Sequence, residues 1–163
     1  MARLEPRPDG LGLVLAAAEV DVLTSLARGL RDRIATARAR PEDDDTVLAP
    51  LLPAASRGDD TVDTELRGLL REDLLTGREA RLDAFVTLLA GGTAEGLDVT
   101  LDRDVAMRTV EALNDLRLAL AATLPRADLA AERAERSDGG DAARLLDALA
   151  WLQGGMIEFI DPG

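Results

Sequence analysis

The chain has no cysteine, no histidine and no tyrosine, and all 19 of its basic residues are arginine. Each absence removes a class of chemistry. Without cysteine this chain forms no disulfide, catalytic thiolate or thiol redox sensor. Without histidine, zinc sites and imidazole proton relays lose their usual groups. Without lysine, Schiff-base catalysis is excluded. Aromatic residues make up only 2% of the 163 positions, so a core must be built from Leu, Ala and Val. Positive charge is scarce too, because 31 acidic residues leave a net charge of −12. A protein that grips duplex DNA normally carries a basic footprint, so direct DNA binding is disfavoured unless arginines gather on one face. No apolar run is long enough to span a bilayer, and "MARLEPRPDG" lacks the pattern of a signal peptide. The expected location is the cytoplasm, with no membrane contact.

What is present is the balance of a folded protein, 47% hydrophobic and 31% charged. The length suits a single domain, 1–163. In 3–15, Leu11, Leu13 and Leu15 alternate with Gly12 and Val14 after a Pro-Asp-Gly turn, which predicts a small β-hairpin. From Ala17 the period becomes helical through Val20, Leu23, Ala27, Leu30 and Ile34, ending near Ala39 before Pro41. Residues 41–60 form a connector whose apolar centre, "VLAPLLP", should pack on the core. A second helical region starts after Asp59 or Asp60. Its expected apolar face is Val62, Leu66, Leu69, Leu70 and Leu74, continuing through Leu82, Phe85, Val86 and Leu89. Gly77 is placed to bend or divide it. Residues 90–102 read as a loop, with Asp102 as cap of a third helix over about 103–124. Residues 126–141 read as a charged mobile connector, and Asp141 as cap of a last helix over about 142–160. The fold class is mainly α: a bundle of about four to six helices with a short N-terminal β-hairpin.

Polar residues inside the helical stripes are the candidates for a site. At about 100° per residue, Arg117 falls near 40° from Leu113, inside the leucine stripe of its helix. Asn114, the chain's sole asparagine, lies at the stripe's edge, and Asp115 points away toward water. A buried guanidinium requires a partner. Asp147, Glu72 and Asp73 are the candidates, with Asn114, Arg117 and Asp147 forming the expected buried polar pin. On the last helix Gln153 borders the core. Trp151 falls on the polar side with Arg144, Asp147 and Glu158, and Gly154 and Gly155 leave a small-residue surface beside it. An exposed tryptophan among mixed charges is a common interface anchor. The alternative is that Trp151 packs on the hairpin or on 47–53. The acidic runs at 42–45 and 59–60 lack the ligand alternation of a calcium loop and read as solvated caps. No metal or cofactor is expected.

Three stretches together carry a family likeness: "LLPAASRGDD" (51–60), "LNDLRLALAATL" (113–124) and "LDALAWLQGGMIEFI" (146–160). With the short extended start they resemble the actinobacterial AosR family of oxidative-stress transcriptional regulators. The Leu-Asn-Asp-Leu-Arg-Leu run is the most specific part. The resemblance implies a role in transcription under oxidative stress, beside genes for a protease adaptor and sulfur-carrier machinery. Thiol sensing does not carry over to a chain without cysteine.

The leading expectation is a non-enzymatic regulator that works through protein contacts, on RNA polymerase or a sigma factor. The second is a DNA-binding regulator using Arg28, Arg31, Arg38 and Arg40, with Arg3 and Arg7 nearby. An enzyme would have to work with Asp, Glu, Ser or Thr alone. A homodimer built on the last helix is a further alternative.

Overall fold

The computed structural model describes residues 1–41, 45–52, 61–124 and 140–162, and for 61–67 the backbone only. The order of elements is β1 (Arg3–Arg7), β2 (Gly10–Ala16), α1 (Ala17–Ala39), a 3-10 turn (Ala49–Leu51), α2 (Thr61–Leu89), β3 (Gly96–Leu101), α3 (Arg103–Thr123) and α4 (Asp141–Ile160). The hairpin is present, with Arg3 opposite Val14 and Arg7 opposite Gly10. It is part of a larger antiparallel sheet, β1-β2-β3, in which Leu11 pairs with Leu101 and Leu15 with Leu97. Residues 96–101 are therefore a strand and not part of a loop. Leu97, Val99 and Leu101 alternate with Asp98 and Thr100, and this period of two places Leu97 and Leu101 in the core.

Gly96 makes the pairing possible. It sits at φ 124, and a Cβ there would collide with the carbonyl oxygen of Leu15. Leu11, Leu13 and Leu15 face inward, as their alternation predicts. The sheet packs on α1 and α3, while α1 packs on α2, α2 on α3, and α3 on α4.

The described residues contain four α-helices. Gly77 does not divide α2, because one exposed glycine lowers helix stability by only about 1 kcal/mol relative to alanine, too little to offset a packed face. That face is Leu75, Leu82, Phe85 and Leu89; Leu69, Leu70 and Leu74, expected in the core, are exposed. Asp102 caps α3, accepting from the Val105 N–H at 2.8 Å. At α4 the cap is Gly140, and Asp141 is the first helical residue, where its charge complements the helix dipole. At α1 the carboxylate of Glu19 closes a different start, accepting from the N–H of Ala16 at 2.8 Å and of Ala2 at 2.7 Å. Leu48 and Leu51 of the connector are buried, as expected of its apolar centre. The charged connector expected at 126–141 lies, up to residue 139, outside the described residues, as do 53–60.

Candidate functional site

The buried charge of this protein is an aspartate. Asp115 on α3 is only 1% exposed. It accepts from Arg81 at 3.0 Å and from Arg78, both on α2, while the Arg81 Nε reaches Glu111 at 2.9 Å. Two guanidiniums thus neutralise one desolvated carboxylate and tie α2 to α3. The buried Nε of Arg78 is without a hydrogen-bond partner in the structure.

This corrects the expected pin of Asn114, Arg117 and Asp147. Arg117 is half-buried and donates to the amide oxygen of Gln153, joining α3 to α4. Asn114 is half-buried, and Asp147 is exposed. The leucine stripe misled because α3 also buries its small residues. Thr109, Ala112 and Ala119 join Leu113 and Leu116, which turns the buried arc toward Asp115 and leaves Arg117 at its margin. Gln153 is buried, as its place beside the stripe predicts.

A second polar seam crosses α1 and α2. Arg38 holds Glu72 at 2.7 Å and also Glu79. The Glu72 carboxyl is held below the usual carboxylate range, chiefly by its hydrogen bond from Arg38, and the same bonds push the Arg38 guanidinium further up. Arg31 bridges Asp32 at 3.0 Å and Asp83 at 3.1 Å, which raises its pKa in the same way.

These pairs bear on the arginines nominated for nucleic acid. Arg31 and Arg38 are held by carboxylates, Arg40 also has a partner, and Arg28 is exposed. Arg7 lies across Gly12 and donates to Thr100 at 3.0 Å, with Asp98 as a further partner. Arg3 lies 3.4 Å from Glu5, and Arg33 lies 3.0 Å from Asp45. Arg40 apart, every arginine of this group except Arg28 is thus turned to a carboxylate of the same chain.

The other candidate surface is α4. Trp151 is 53% exposed. Arg144, Asp147, Gly154 and Glu158 are exposed along the same helix. Gly155 is different: it faces β1, and a Cβ there would run into the side chain of Leu4. Gly155 therefore serves close packing and not an outer surface.

Beside this helix opens an apolar groove of about 510 Å³, lined by Leu15, Ala18, Val22, Leu145, Ala148 and Leu152 among others. Sequence reading missed it, because a groove comes from two helices that pack on different partners. α1 leans on α2 and α4 on α3, and the gap lies where neither covers the other. The signal present in the sequence was alanine, Ala18 and Ala148, at positions where a larger side chain would fill the space.

Among the described residues no group of three Asp or Glu is placed to hold a metal ion, and no helix is long and apolar enough to cross a membrane. No curated protein and no solved structure matches the chain. A family model does match, over residues 1–160, and the chain belongs to that family, described as a domain of unknown function, DUF2017.

Proposed function

We propose that this protein is a non-enzymatic regulator that acts by docking another protein on its α1/α4 side. The observation that carries the reading is the half-exposed Trp151 on a helix that also walls an open apolar groove. Large apolar surface left in water at a concave site is the usual mark of a partner interface. The polar chemistry of the described residues supports the same reading, because the most buried charge, Asp115, is committed to Arg78 and Arg81. The resemblance to AosR regulators supplies the biological setting: control of transcription under oxidative stress, through RNA polymerase or a sigma factor, in the cytoplasm. With no cysteine in the chain, the redox signal is not sensed through a thiol of its own.

The test is genetic. Deleting the gene from its native host should change the set of transcripts induced by peroxide. A wild-type copy should restore that set, and a Trp151→Ala copy should restore it poorly. A deletion strain whose peroxide response matches the parent in every transcript would remove the regulatory reading.

A further inference from the structure

The outer face of α4 carries a cation, an aromatic ring and an acid at even intervals. Arg144, Trp151 and Glu158 are seven residues apart, so at about 100° per residue they form one stripe about 40° wide. All three are exposed. Among the described residues, neither the Arg144 guanidinium nor the Glu158 carboxylate has a hydrogen-bond or ion-pair partner. Both charges also stand against the helix dipole. Arg144 is the fourth residue of α4 and Glu158 lies in its last turn, so each end carries the sign that the dipole disfavours.

An antiparallel copy of the same helix meets all of this at once. With a two-fold axis at Trp151, residues equally far before and after it face each other. Arg144 then meets Glu158 of the second copy, Glu158 meets its Arg144, and the two indoles pair at the axis. That pairing removes from water the surface that Trp151 leaves exposed. Ala148 and Gly154 flank the ring and are exposed, and a Cβ on Gly154 would touch nothing in the chain, so a second helix can come close. We infer that this face of α4 is a homodimer interface, with its register set by two Arg144–Glu158 pairs between the copies. This goes beyond the regulatory reading: another protein would dock on a dimer, at the groove alongside this face.

The charge of the whole chain, −12, opposes pairing of two copies. At about 150 mM salt the Debye length is about 8 Å, so distant charges are largely screened while the facing pairs remain in contact. One helix face per copy is a small interface, so the dimer should be weak and form as concentration rises. Sedimentation equilibrium of the full chain at that salt, from about 1 μM to 1 mM, reads it directly. Trp151→Ala, Arg144→Glu and Glu158→Arg should each weaken self-association at least about tenfold, or about 1.4 kcal/mol. Each reversal places like charges opposite each other at two points. The double variant Arg144→Glu with Glu158→Arg restores both pairs with their signs exchanged, and it should dimerise within about threefold of the wild type. All three positions are exposed, and both reversals suit the helix dipole, so the variants should fold.

A wild type that stays monomeric throughout would overturn the assignment. So would a dimer that the single reversals leave intact, because its interface would lie elsewhere. Loss in both single reversals without recovery in the double variant would overturn the facing of Arg144 and Glu158. The peroxide experiment fails independently: an unchanged transcript response would leave the dimer standing, and a monomeric chain would leave the regulatory reading standing.

Discussion

Asp115 shows how far one residue's setting can depart from its chemistry in isolation. An aspartate in a helix is ordinarily a solvent-facing group, and the wheel drawn on leucines places it there. In the folded chain it is fully buried between α2 and α3, and its cost of desolvation is met by Arg78 and Arg81. Removing one partner of such a cluster strands the remaining charges. Asp115→Ala should therefore lower the unfolding free energy by about 3–5 kcal/mol, far above a surface substitution. Chemical denaturation that shows a loss below about 1 kcal/mol would mean that the arginines find water without it. Arg117 offers the contrast. It is half-buried at the margin of the buried arc, and its partner is the amide oxygen of Gln153. The sequence reveals that a polar group must be matched, but the matching residue is set by how α3 and α4 are rotated against each other. Ala112 and Ala119, buried on the Asp115 side of α3, widen its inner face in a way that a stripe of leucines does not weigh.

At the scale of elements, the helices were legible and the third strand was not. α1 and α3 follow strong apolar periods and have clear boundaries at Ala39 and Asp102. β3 is only six residues long and sits between a glycine-rich turn and a helix cap. Its alternation became meaningful once β2 supplied a partner, and Gly96 is the residue that lets the two strands meet. The seam between α1 and α2 was equally hidden, because Arg38 and Glu72 are 34 positions apart. Its titration makes it testable. The folded pKa of Glu72 lies below its unfolded value, since Arg38 stabilises the carboxylate. Its contribution is therefore present above the unfolded value of about 4.3 and is lost as pH falls through the folded one. Thermal midpoints of the wild type and Glu72→Gln should differ at neutral pH, with the variant lower, and should converge as pH falls through the lowered folded pKa. Parallel curves down to pH 3 would assign the difference to packing and not to ionisation.

At the scale of the whole molecule, the arrangement of charge matters more than its total. Nineteen arginines would be ample for a nucleic-acid surface if they were free and gathered. Here four of the seven arginines of the first forty residues are met by acids from elsewhere in the chain: Arg31 by Asp83, Arg38 by Glu72 and Glu79, Arg33 by Asp45, and Arg7 by Asp98. Binding a phosphate with one of them would break an internal pair while the chain as a whole repels the polyanion. Counterion release could not offset both terms unless several pairs opened together. Duplex DNA should therefore show no mobility shift with this protein even at about 50 mM salt, where an ordinary phosphate-binding surface is strongest. Arg28, exposed on α1, is the cation least encumbered among those nominated, so Arg28→Ala should leave that result unchanged. A retarded band at low salt that fades as salt rises, and that Arg28→Ala weakens, would show that the pairs open. It would move the regulatory surface from the α1/α4 groove to the arginine-bearing face of α1.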